Sequence, residues 1–316
     1  MIRFAALLLF GLLAIAPARA NGIDRMYTPD TLSEWQVRIG AFIQGVYGDI
    51  IKPGLTEDEQ RRLTDLRFDF PASAPGQEPL AFWRSDNAVH LSAASMKFVG
   101  DLLLGYVWLG RNGYQIGSLD DYMLMLACWK QDAAPPPPPA ALHVPDNARD
   151  DQGTDLFATR LERNAYQFIM LHELGHILHD GPVSATVHSI AQEIVADRFA
   201  LDMLGGLHQV PTGASTLFQI LSFYEVVGCG ATPTPPARHT HPYSRDRLRA
   251  VSLDFTDSAT KYAKDMEPDT LTAFRTLAST TEQLADQVED LQMQAFLRER
   301  APTIAPSDLA PRRRGQ

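Results

Sequence analysis

Cysteine is nearly missing from this chain: its 316 residues include two, Cys128 and Cys229. That excludes a scaffold held together mainly by disulfides. It leaves either one disulfide between them or two buried thiols. Positive charge is also short, with 28 Lys and Arg against 38 Asp and Glu, for a net charge of −10. A general nucleic-acid binder needs clustered cations to meet the phosphates, and the one dense basic run here is Arg312-Arg313-Arg314 at the end. Long apolar runs are absent after the first twenty residues. The richest, Met96 to Leu109, is broken by Lys97, Gly100, Asp101 and Gly105, so no transmembrane segment is expected in the mature chain. There are no internal repeats. What the chain does have is 45% hydrophobic and 21% charged residues, enough to build a packed core.

Residues 1–20 read as a secretory signal. Met1-Ile2-Arg3 is a short basic start, Phe4 to Ala16 is almost wholly apolar, and Ala18-Arg19-Ala20 has the small-x-small pattern of a cleavage site. Cleavage after Ala20 is expected, placing the protein in a periplasm or the extracellular space. No cysteine follows the cut, so nothing suggests a lipoprotein. Losing Arg3 and Arg19 takes the net charge from −10 to −12.

The rest reads as mainly helical, an α+β fold with few strands. An N-terminal helical region, 21–134, opens with Leu32, Trp35, Ile39, Phe42, Ile43 and Val46 at helical spacing behind a Thr31-x-x-Glu34 box. Thr56-x-x-Glu59 starts a second helix, Ala88 to Leu91 reads as a strand, and helices follow around Met96–Val107 and from Ser118. The proline run Pro135–Pro139 opens a loop, 135–153, expected to be extended and exposed. Region 154–316 holds a helix from Asp155 to Asp180 stopped by Gly181-Pro182, one from about Ser189 stopped by Gly205-Gly206, an apolar one over Ala214–Val227, and a last one from Asp269. In that last helix Leu277, Leu284, Val288, Leu291 and Ala295 sit near heptad spacing. That predicts packing against a neighbouring helix, in the same chain or in a partner.

The chemistry concentrates in His172-Glu173-Leu174-Gly175-His176. Residues four apart share a helix face, so His172 and His176 can aim two imidazoles at one metal ion. Glu173 lies beside the metal without having to bind it, where it can take a proton from water activated there. This is the zincin signature. A catalytic zinc takes a third protein ligand, and Glu193, in the helix after the Gly181-Pro182 turn, is the candidate. Asp197, one turn further on the same face, can accept the outer N–H of a zinc-bound histidine and fix its tautomer.

Together, His172–His176 and Glu193-Ile194-Val195-Ala196-Asp197-Arg198-Phe199-Ala200 resemble the gluzincin metallopeptidases. Two groups are similar: the HtpX/BepA (CAAX-prenyl-peptidase-like) group, and the ImmA/IrrE group, in which a short gap between the two motifs is typical. Thr240-His241-Pro242-Tyr243-Ser244-Arg245-Asp246-Arg247-Leu248 resembles the downstream Thr-His-Pro…Arg segment of the first group. The resemblance implies a zincin-like fold with an active-site helix beside a small sheet, and one Zn2+ per chain. It also implies that His241 or Arg247 helps to hold the oxyanion that a tetrahedral intermediate develops, or that His241 approaches the metal.

Three functions compete. The first is a secreted or periplasmic zinc endopeptidase acting on a protein or peptide substrate. The second is a zinc-binding envelope chaperone or adaptor with a latent protease fold, and the intact Glu173 argues against it. The third is a cytosolic regulator-cleaving protease of the ImmA/IrrE kind, which would need no export signal. The first is the expectation carried forward.

Overall fold

The computed structural model describes residues 23–74, 80, 82–85, 87–129, 133–180, 189–227, 244–261, 263–264 and 267–315. The signal segment and His241 lie outside them.

Among the described residues the chain is mainly helical with one small sheet. Helix α1, Pro29–Val46, has proline in its first turn and Thr28 as cap, whose hydroxyl accepts from the Thr31 N–H. The start therefore lies earlier than the Thr31 box suggests, because Pro29 supplies a preset φ at a position whose N–H would have no partner within the helix. After the short helix α2, Lys52–Gly54, α3 (Glu57–Arg62) begins at Thr56 with the reciprocal Thr56–Glu59 box that the sequence spells out.

Three strands follow: β1, Arg67–Asp69; β2, Phe82–Ser85; and β3, Ala88–Leu91. Their order is β1-β3-β2, with β3 parallel to β1 and antiparallel to β2. In β2 the two-residue period of a strand turns Phe82 and Arg84 inward, leaving Trp83 half-buried and Ser85 exposed. On the outer side Trp83 stacks on His90 with ring centroids 4.9 Å apart.

Helix α4, Ala93–Arg111, is apolar on most sides and runs through the interior; α5 is Gly117–Ala127. The proline stretch departs from its expected exposure. Pro138–Ala141 forms a single helical turn, α6, and Ala141, Leu142, Val144 and Ala148 are buried against Phe98, Leu102, Leu119 and Tyr122. Prolines preset the backbone for a helical start, and the apolar residues behind them find a core to enter.

The long helix α7, Gln152–His179, is capped by Asp151. Helix α8, Ile190–Gly206, starts with a reciprocal Ser189–Gln192 box. It runs through both glycines expected to stop it, and just beyond its end His208 adopts φ +55°. Helix α9 is Thr212–Val227, α10 Arg245–Lys261, α11 Pro268–Glu289 and α12 Leu291–Arg300. Of the heptad-spaced residues, Leu284 is buried and Leu277 and Val288 are half-buried against the chain's own core, and α11 packs along α10; Ala295 falls in α12 and is exposed. Leu291, by contrast, is 77% exposed.

The main core joins α1, the sheet, α4 and α7 to α8, α9, α10 and α11, so it draws on chain from both sides of the proline stretch. Cys128, at the end of α5, is disulfide-bonded; the chain's other cysteine, Cys229, lies outside the described residues.

Candidate metal centre

Helices α7 and α8 meet where the motifs lie. His172 meets Asp197, Gly175 meets Ala196 and His176 meets Glu193, so the two helices run antiparallel. Gly175 sets how close they come. A Cβ added there would stand 2.8 Å from the Ala196 Cα and 3.1 Å from its carbonyl oxygen, so backbone lies against backbone.

The donor atoms of His172, His176 and Glu193 converge, and all three residues are buried. The two Nε2 atoms are 3.0 Å apart. Glu193 places one carboxylate oxygen 3.4 Å from the His172 Nε2 and the other 3.3 Å from the His176 Nε2. Ligands about 2.1 Å from a tetrahedral ion stand roughly 3.4 Å from one another, so the triangle has the size such an ion needs. Two nitrogens and one carboxylate are also a known catalytic donor set.

The outer nitrogens set the tautomers. The His172 Nδ1 lies 2.8 Å from an Asp197 oxygen, and the His176 Nδ1 lies 2.7 Å from Asp180. Carboxylates accept only, so each Nδ1 carries the proton and donates it. Each Nε2 of a neutral imidazole then presents a lone pair, and the two lone pairs face one another. A cation between them removes that repulsion. In its absence a proton takes the role. Burial works against charge on His172, yet hydrogen bonds and charge from Asp197 and Glu193 prevail and push its pKa up to about 10.

Arg247 stands behind the candidate ligands. Ser244 caps α10, accepting from the Arg247 N–H, and so fixes the first turn from which this side chain extends. The guanidinium gives Asp197 two hydrogen bonds, 2.6 and 2.9 Å, and stands 2.7 Å from Glu193. It lies over the Phe218 ring. Burial would raise the Asp197 carboxyl, but Arg247 and His172 hold it below its usual range. Arg247 thus touches both carboxylates expected at the site.

Glu173 is 1% exposed. His90, on β3, is near enough to feel its charge, although burial keeps the His90 pKa low. His179, three residues beyond His176, is exposed and rests on Phe199.

Charge balance gives a second test of the site. Among the described residues, Glu173, Asp180, Glu193 and Asp197 are enclosed here with Arg84 and Arg247, their side chains buried. With the carboxylates ionised and both histidines neutral, the sum is −2. A divalent cation closes that balance.

Asp180 and Arg84 are not among the residues the sequence motifs pick out. Asp180 carries a readable signal, since it follows His176 by the same four-residue step that joins the two histidines. Arg84 carries none, because a strand almost a hundred residues upstream brings it in.

Comparison with known proteins bears on this stretch of chain. No curated protein and no solved structure matches. The family model described as Peptidase U49 matches residues 125–266, so the segment that supplies both histidines, Glu173, Glu193, Asp197 and Arg247 is the segment by which the chain is similar to a peptidase family.

Proposed function

We propose that the protein is an exported zinc-dependent endopeptidase. The observation that carries this reading is the pair of buried imidazoles whose Nε2 atoms face each other at 3.0 Å beside Glu193, with both Nδ1 atoms tied to carboxylates. The peptidase-family match supports the reaction class. His172, His176 and Glu193 would hold the zinc, which when bound supplies a Lewis acid that acidifies water and polarises the scissile carbonyl.

The chain's own residues do the rest. Glu173 takes the proton from the attacking water and returns it to the leaving amine, a role suited to a carboxylate next in sequence to a ligand yet outside the donor triangle. Asp197 and Asp180 keep each ligand imidazole in the tautomer that leaves Nε2 free to bind. Arg247 neutralises part of the charge on Glu193 and Asp197 and holds both carboxylates in place. The resemblance gives the oxyanion donor to His241 or Arg247; Arg247 is buried with its guanidinium engaged by Asp197 and Glu193, so the role falls to His241. Export rests on the signal-like residues 1–20 and on the disulfide at Cys128, a bond that persists in oxidising compartments.

Glu173→Gln tests the mechanism. Cleavage of an unstructured protein such as casein should fall by about 10²–10⁴-fold, while zinc content by atomic absorption stays at one per chain. Full cleavage by the variant would end the proposed role. Zinc binding and client binding with no cleavage by either protein would favour the chaperone reading instead.

A further inference from the structure

The matched family segment begins at residue 125, but the support of the metal centre does not. Asp180 is the residue that ends α7. A carboxylate there opposes the helix dipole, whose negative end lies at the C-terminus. It is also buried, with a side chain 2% exposed. Such a placement is unfavourable unless something compensates. Two groups do: the His176 Nδ1 at 2.7 Å and the Arg84 guanidinium at 3.4 Å.

Arg84 contacts the helix end at two points. While one nitrogen faces Asp180, another donates to the His176 carbonyl at 2.9 Å. That carbonyl also accepts from the Asp180 N–H, closing the last turn of α7. One guanidinium therefore fixes the main chain of His176 and the carboxylate that orients its ring. The strand register explains how it reaches. Arg84 pairs with Val89 on the inward face of β2, and β2 packs against α7.

We infer that Arg84 is a positioning residue of the metal centre, acting through Asp180 and the His176 main chain. The small sheet thereby becomes part of the apparatus that sets the second histidine. This rests on the reading of His172, His176 and Glu193 as zinc ligands. It extends that reading to a residue outside the matched segment and outside every motif in the sequence.

The test is zinc affinity of the full chain, measured by competition with a chromophoric chelator. Arg84→Gln and Asp180→Asn should each weaken binding by about 10–100-fold, the range found when the support of a metal-ligating histidine is removed. The double variant should bind no more weakly than the weaker single one, because both substitutions cut one chain of contacts. Arg84→Lys keeps the charge but not the two-point fork and should fall between wild type and Arg84→Gln. The visible spectrum of the Co2+ form should shift in Asp180→Asn, whose side chain keeps the size of the original. Variants that bind zinc as tightly as wild type would overturn the inference, as would a lower Tm of the metal-free form with zinc affinity unchanged. Absence of zinc binding by the wild type would instead overturn the metal centre itself.

Discussion

At the scale of the residue, burial and partners decide what each charge can do. Asp197 and Asp120 make the contrast. Asp197 is fully buried, yet Arg247 and His172 hold its carboxyl below the usual range. Burial raises Asp120 from 3.8 to about 7, and the charge of Asp121 adds to the shift. Asp121 itself is gripped by Arg300. The consequence for stability has a definite sign. Between about pH 4 and pH 7 folded Asp120 keeps a proton that the unfolded chain has released, so its contribution to stability falls as pH rises through that window and is flat above it. Asp120→Asn should therefore stabilise the protein at pH 8, by on the order of 1–3 kcal/mol, and change little at pH 4. Thermal unfolding at the two pH values checks this, and an equal shift at both would contradict it. The His-Glu-x-x-His residues were legible at this scale because their geometry is local: a four-residue step on one helix puts both imidazoles on one face. Asp180 obeys the same step and was equally legible. Arg84 was not, since nothing near it in the chain marks it.

At the scale of the element, the sequence speaks clearly where the signal is a few residues long. The Thr56–Glu59 box, the start of α8 at Ser189, the apolar run of α4 and the strand Ala88–Leu91 all appear where the pattern puts them. The pattern misleads where tertiary packing competes with it. Gly205 and Gly206 remain helical because Leu201 and Leu204 bury into the core and carry the turn along with them. Helix α10 has a readable series in Leu248, Val251, Phe255 and Ala259, but it follows a proline-rich stretch and its many charges obscure that series. Strands β1 and β2 are three and four residues long, too short for a period to stand out. The close approach of α7 and α8 yields the prediction that belongs here. Gly175→Ala must move the backbone of Ala196, so the variant should lose about 1–3 kcal/mol of stability and bind zinc more weakly, because Glu193 moves with α8. Chemical denaturation and the chelator competition measure the two effects. A variant unchanged in both would show that the interhelical distance is not set at this contact.

The whole molecule is held by contacts that cross the sequence widely. Its main core takes residues from α1, the sheet, α4 and α7 to α11. The proline stretch, expected to be an exposed join, is instead sealed by Ala141, Leu142 and Val144. Sequence reading could not foresee this, because proline composition reports backbone stiffness and not what lies across from it. The disulfide at Cys128 adds a covalent tie. Reductant should lower stability by about 2–5 kcal/mol, and Cys128→Ser should reproduce the loss and abolish the response to reductant. A chain indifferent to reductant would argue against the bond and against an oxidising destination.

Arg84 has a last consequence, for anyone who would transplant this chemistry. The family-matched segment looks like a portable unit, with two histidines, two glutamates, an aspartate and an arginine in order. Grafted alone onto another scaffold, it would carry every proposed ligand and leave behind the hand inferred to steady one of them.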